Sequence, residues 1–248
     1  MKNLFLFFFA VALIVSEAHS QIISGQVTYK MELDFHPTNE SKNDNAAGVS
    51  HLRAMIERSK KSMEGLRCIL DFNQSTSHFH LEKRMENDGN PGLRTALTLL
   101  NVTDDIFSDL QEGITRTEKK AFGKNYLVED SIQLDWTITA ESKQIGNFTV
   151  YKAESFKETV NSKGKFRFPV TAWFAPEIPF SFGPIGYGGL PGLILELEVS
   201  SNFPVRYVAD KLKFSENTLK ISSPKGELIT NAELQELYTE ARRNSGRR

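Results

Sequence analysis

Apolar and polar positions alternate with period two along much of the chain. Val27, Tyr29, Met31, Leu33 and Phe35 alternate with Gln26, Thr28, Lys30, Glu32 and Asp34. Successive side chains of a strand point to opposite faces, so this pattern predicts a strand with one buried side. Leu66, Cys68, Leu70 and Phe72 repeat it, and Asn73-Gln74-Ser75-Thr76 supplies turn residues before Phe79 and Leu81, which predicts a hairpin. Leu134, Trp136 and Ile138 predict a further strand, paired with residues 148–153 across a turn at 143–147. Phe166, Phe168, Val170, Ala172 and Phe174 predict the next, and Leu193, Leu195, Leu197 and Val199 the last.

Helical spacing is rarer. Val49, Leu52, Ile56 and Met63 recur on one stripe before Gly65, which is placed to end a surface helix. Thr230 and Glu233 have the spacing of a capping box ahead of Leu234, Leu237 and Ala241, predicting a short carboxyl-terminal helix. Asn87-Asp88-Gly89-Asn90-Pro91-Gly92 marks a flexible loop at 85–95, and 242–248 reads as a solvated basic tail. The expected fold is mainly β (α+β): a curved antiparallel sheet, bowl or half-barrel, with one or two short helices packed on it.

Residues 173–200 hold Pro176, Pro179, Pro184 and Pro191, four of the chain's nine prolines, among Gly183, Gly186, Gly188, Gly189 and Gly192. Proline fixes φ and glycine permits φ above zero, so this stretch specifies an irregular but rigid path. It contains Gly189-Leu190-Pro191-Gly192-Leu193-Ile194, preceded by Ala172-Trp173-Phe174, Pro176-Glu177-Ile178-Pro179 and Gly183-Pro184, and followed by Glu196. On these residues the chain resembles the GLPGLI family of Bacteroidota. Trp136 with Lys143, the Lys152-Ala153 pair and Leu70-x-Phe72-Asn73 extend the resemblance over most of residues 21–248. One departure is Val150, where many relatives place a cysteine. The resemblance implies exported proteins without a settled activity, some associated with outer-membrane transport systems.

The amino terminus agrees with export. Lys2 precedes an apolar run from Leu4 to Val15, and Ala18-His19-Ser20 offers the small residues of a cleavage site, so residues 1–20 read as a signal peptide and 21–248 as a single β-rich domain. Twelve apolar residues are too few to remain as a span, and no later segment approaches the ~20 that a membrane helix needs. A net charge of -1 supplies no basic field for nucleic acid. The lone Cys68 excludes an intramolecular disulfide, and its apolar phase suits a buried thiol.

Candidate chemistry is sparse. His78 and His80, at i and i+2 on a strand, point to one side, with Glu82 further along that face. No closed ligand set can be read around them, so neither a metal nor a cofactor is expected and these two are only candidates. Glu196 and Glu198 share a strand face, which a solvated polar surface explains, so Glu196→Gln is expected to leave stability almost unchanged. Gly188-Gly189 and Gly192 lack the ending of a phosphate loop, and no nucleophile elbow or zinc-protease motif occurs, so no enzyme is expected. Trp173, out of phase with its neighbours, and Phe180, Phe182 and Tyr187 could line a pocket or partner surface beside Glu196.

The expectation is therefore a non-catalytic binding or carrier module of the periplasm or cell surface, taking a hydrophobic ligand or peptide. An accessory component docking on an outer-membrane protein is the alternative, and a hydrolase using Glu196 a distant one. Asp130-Ser131-Ile132 resembles an O-glycosylation pattern of exported Bacteroidota proteins, and Asn39, Asn73, Asn101 and Asn147 begin sequons. The intact mass of protein recovered from its host is expected to be that of residues 21–248, with any excess reporting a glycan; a mass retaining residues 1–20 would overturn the cleavage assignment.

Overall fold

The computed structural model describes residues 22–33, 65–82, 104–132, 134–161, 164–200 and 205–245, with scattered positions between 54 and 63 and residue 97. The leader-like residues 1–20, the 85–95 segment, Phe35, Asn39 and Asn101 lie outside the described residues. Among the described residues twelve strands follow in chain order: β1 (Ser24–Leu33), β2 (Arg67–Phe72), β3 (Thr76–Leu81), β4 (Ile106–Asp109), β5 (Ile114–Ala121), β6 (Lys124–Ser131), β7 (Thr137–Ile145), β8 (Phe148–Asn161), β9 (Gly164–Ala175), β10 (Leu193–Val199), β11 (Val205–Ser215) and β12 (Glu227–Ile229). A helix, α1 (Asn231–Ser245), ends the described chain.

All twelve strands belong to one mixed sheet in the order β12-β6-β5-β4-β3-β2-β1-β11-β10-β9-β8-β7. Two antiparallel meanders, β2–β6 and β7–β10, flank the central β1–β11 pair, and β12 joins β6 in parallel. The sheet does not close into a barrel, in keeping with the expected open, curved β architecture. Val27, Tyr29, Cys68, Leu70, Phe72, Val170, Ala172, Phe174, Leu193 and Leu197 bury one of its faces in a single apolar cluster. Burial at roughly 25 cal/mol per Å² of apolar surface is what holds this face together. A smaller cluster forms where Leu234 of α1 packs on Ala121, Tyr126 and Val128.

Several local expectations change in the structure. The hairpin β2–β3 turns as read: Asn73 Oδ1 accepts the Ser75 and Thr76 amides at 3.0 and 2.9 Å. The Asn73 amide nitrogen donates to the Leu219 carbonyl, so this sequon is spent on structure. Ala54, Glu57, Lys60, Lys61 and Met63 are helical, and Gly65 follows at φ +84°. Leu134 and Trp136 precede β7 instead of belonging to it, and β7 runs on to Ile145, leaving Gly146-Asn147 as the turn. The capping box forms, with Thr230 N donating to Glu233 Oε2 at 2.8 Å and Glu233 N to Thr230 Oγ1 at 3.1 Å. The helix it starts has fifteen residues, so Arg242 and Arg243 belong to its last turn and not to a tail. There two cations complement the carboxyl-terminal end of the helix dipole.

Cys68 is fully buried, with its Sγ 3.5 Å from Met31 Sδ, and burial pushes its thiol up to about 12. The thiolate is the reacting form. Labelling by a disulfide reagent is therefore expected to track unfolding in a denaturant series, and prompt labelling of the native protein would show that the β1–β2 core is open.

Candidate functional site

The Pro-Gly segment folds over the apolar face of the sheet and plugs it. Phe180 and Phe182 are 5 % and 1 % exposed, and their rings lie 4.7 and 6.5 Å from that of Phe72. Neither lines an open pocket, because the concave face is filled by the chain's own rim. Ile178 O accepts the Leu193 amide and Phe182 O the Ile194 amide, at 3.0 and 2.9 Å, which ties the rim to the start of β10. Close backbone contacts require the glycines. A Cβ on Gly192 would stand 2.3 Å from the Ala175 carbonyl oxygen, and one on Gly188 2.4 Å from that of Ser181. Gly189 takes φ +82°, and Ile185, at φ +47°, holds a conformation that a β-branched residue rarely adopts. Tyr187 lines a cavity of only about 120 Å³ beside Ile185.

Immediately after the hexapeptide the strand phase breaks. Ile194 pairs with Phe174 and Glu196 with Trp173, so Leu195 is an extra residue in β10. Such a bulge lets consecutive residues face inward, and residues 193–197 are all buried. Glu196 itself stays on the face opposite Leu197, as its phase predicts, yet it is 8 % exposed instead of solvated. Its Oε2 accepts Lys143 Nζ at 2.7 Å, and Arg206 Nη1 stands 3.9 Å from Oε1. Lys143 Nζ also lies 4.2 Å from the centre of the Trp173 ring, a cation–π contact that covers the indole. Arg206 continues the chain of charges to Glu32. Trp136 Nε1 donates to the Gly188 carbonyl at 2.9 Å, so the upstream tryptophan clamps the rim.

On the opposite face of the sheet one cross-strand row runs Gln26, Asp71, His78, Phe107, Arg116 and Glu129 from β1 to β6. His78 stacks on Phe107, 4.3 Å away at 3°, and on His80, 4.4 Å away at 27°. The third donor near the histidines is Asp71, across the hairpin, and not Glu82: one ligand atom from each of Asp71, His78 and His80 lies within 4.8 Å of the others. The sequence carried this signal. Asp71 and His78 lie symmetrically about the Asn73–Thr76 turn, so the hairpin register alone pairs them. Burial and then the neighbouring His80 hold the His78 ring below the usual imidazole range.

Beside Phe107 the same face carries a cavity that the sequence did not foreshadow. Residues 216–226 connect β11 to β12 across six intervening strands. Seven inter-strand steps of about 4.8 Å nearly exhaust the reach of eleven extended residues, so the strap must run almost straight. Leu219 O accepts from Asn73, and Lys225 N donates to Glu118 Oε1 at 2.8 Å, pinning the strap to the sheet. Between strap and strands lies about 430 Å³, lined by Phe107, Ile114, Leu127 and Leu228 with Thr76 and Arg116. The Arg116 guanidinium is held by Glu112 and Glu129 at 2.7 and 3.2 Å.

Removing the Glu196 charge is expected to destabilise the fold. A fully buried pair broken on one side costs 3–5 kcal/mol, but Lys143 is about one-third exposed and solvent screens it. Glu196→Gln should therefore cost about 1–2 kcal/mol, a fall of roughly 2–8 °C in melting temperature. Lys143→Met should cost a similar amount and the double variant less than the sum. Additive losses would show that the two side chains do not act as a pair.

No curated protein matches the chain. PNGF-II in a C2 crystal form superposes with a TM-score of 0.52 at 13% identity, over 86% of this chain and 32% of that one. Its P21 form gives 0.52 at 13% identity, over 87% and 33%. The chain thus spans about a third of the length of PNGF-II, and the likeness is one of fold. LprF from Mycobacterium bovis aligns over 84% of this chain and 91% of that one at 10% identity, with a TM-score of 0.26 that carries no weight for the fold. Residues 157–196, from the β8–β9 hairpin through the hexapeptide to Glu196, match the family described as "Protein of unknown function (Porph_ging)".

Proposed function

We propose that this protein is an exported, non-catalytic binding module whose ligand is a small, largely apolar molecule held under the 216–226 strap. The observation that carries the reading is the roofed cavity of about 430 Å³, a volume in the range of small-molecule sites. Its walls are apolar at Phe107, Ile114, Leu127 and Leu228, and its guanidinium is already neutralised by two carboxylates, so a neutral or weakly polar ligand suits it better than a strong anion. The leader-like residues 1–20 and the GLPGLI-like hexapeptide support placement in the periplasm or at the cell surface. Among the described residues no helix is long and apolar enough to cross a membrane.

The docking alternative draws on a different feature. Among the described residues, 157–161 and 164–168 of β8 and β9 form backbone pairs only with each other, beyond the reach of β7 and β10, and Phe156 and Phe166 are exposed at this ribbon. A projecting two-stranded arm with exposed phenylalanines among its charges suits contact with another protein.

The neutral probe N-phenyl-1-naphthylamine separates the two. It is expected to bind saturably to the full chain with enhanced fluorescence. Ile114→Trp, which fills the cavity, should abolish that signal while Phe156→Ser leaves it intact. Enhancement that fails to saturate, or that survives Ile114→Trp in a folded variant, would overturn the cavity as the site.

A further inference from the structure

We infer that Asp71, His78 and His80 form a binding site for a late first-row divalent cation, zinc foremost, on the face of the sheet opposite the apolar core. The donor set is one carboxylate and two imidazoles, the combination that such ions take in preference to magnesium or calcium. Two strands present it. The i, i+2 spacing on β3 puts both imidazoles on one side, and the hairpin register brings Asp71 opposite His78.

Distances fit with little movement. Ligand atoms about 2.1 Å from a tetrahedral ion lie roughly 3.4 Å apart. The three donors here are within 4.8 Å of one another, so a contraction of about 1.4 Å, with the stacked rings turned toward a common point, closes the set.

A second observation points the same way. His78 Nε2 and His80 Nδ1 are both shielded from solvent, and neither makes a hydrogen bond to any described residue. Buried polar atoms are ordinarily partnered, and stacking of the rings on each other and on Phe107 satisfies no ring nitrogen. An ion would satisfy the unpartnered lone pairs of such a pair.

The surroundings supply what outer partners of metal ligands supply elsewhere. Gln26 Nε2 donates to Asp71 Oδ1 at 2.8 Å and so orients the carboxylate. Phe107 packs flat against the His78 ring. Asp105 Oδ1, 3.8 Å from His78 Nε2, stands close enough to join as a further oxygen ligand or to hold a bound water. Three protein ligands with a fourth position open to exchange is the arrangement of an ion that can be reached from outside, and this one adjoins the strap cavity through Phe107.

Calorimetric titration of the metal-free full chain with Zn²⁺ tests the site, with the visible spectrum of bound Co²⁺ as a second measurement of its ligands. One Zn²⁺ per chain is expected, with Co²⁺ giving the intense absorption of four-coordination. His80→Gln and Asp71→Asn should each weaken Zn²⁺ by at least about tenfold, and Gln26→Leu, which removes only the outer partner, by roughly tenfold. Circular dichroism of the variants checks the fold. If His78→Gln does not fold because its ring packs on Phe107, His80→Gln alone carries the comparison. Absence of saturable binding overturns the site, as does an affinity unchanged in a folded His80→Gln chain.

Discussion

The approach of Gly192 to the Ala175 carbonyl is the constraint on which the rest of the molecule depends. At that point two backbones pass so closely that even a methyl group has no room. The contact starts β10 beside the end of β9 and turns the preceding rim back over the sheet. Ile178, Phe180, Phe182 and Leu190 then reach the core, and Tyr29 donates its hydroxyl to the Ile194 carbonyl at 2.6 Å from the centre of the sheet. A fully buried phenol needs such a partner, because an orphaned hydroxyl in an apolar interior is costly. The hexapeptide is in this sense a folding device: its glycines allow the crossing and its apolar residues fill the space beneath.

Filling the concave face with the rim has a consequence for where chemistry can occur. An open sheet of this kind could hold a ligand in its bowl, but here the bowl is occupied by the chain itself. Polar and titratable groups collect instead on the reverse face. There Lys143, Glu196, Arg206 and Glu32 form one line of alternating charge, and Lys30, Arg67 and Asp210 form another. The strap lies across this reverse face and provides the roof that the bowl no longer can.

Most of the strands with a strong apolar phase were legible in the sequence, including β1, the β2–β3 hairpin and β9. What escaped did so for physical reasons. Ile114–Ala121 carries mostly charged groups on one face and Thr115, Thr117 and Lys119 on the other, so it lacks an alternation strong enough to register, and its hairpin turns on Phe122-Gly123, both at positive φ. Phenylalanine is not a residue from which such a turn is inferred. Glu196 lies on the face its phase gave, but its burial escaped because spacing within β10 does not show that Lys143 and Trp173 close over it from neighbouring strands. Asp71 was missed because only the spacing along the histidines' own strand was followed, and not the hairpin register that sets Asp71 opposite His78. The strap cavity has no local signature at all, as it exists only where residues distant in sequence meet.

The seam between β1 and β11 carries one more implication. Each flanking meander is built from neighbours in sequence, yet the two are welded through a pairing of residues 24–33 with residues 205–215. Loop-closure entropy must be overcome before that pairing is rewarded, which makes such topologies slow to assemble. Neither half can complete the shared apolar face while the last strands are still missing. The apolar face therefore stays incomplete until almost all of the chain has emerged, so the two meanders are committed to one another late, by the last long strand.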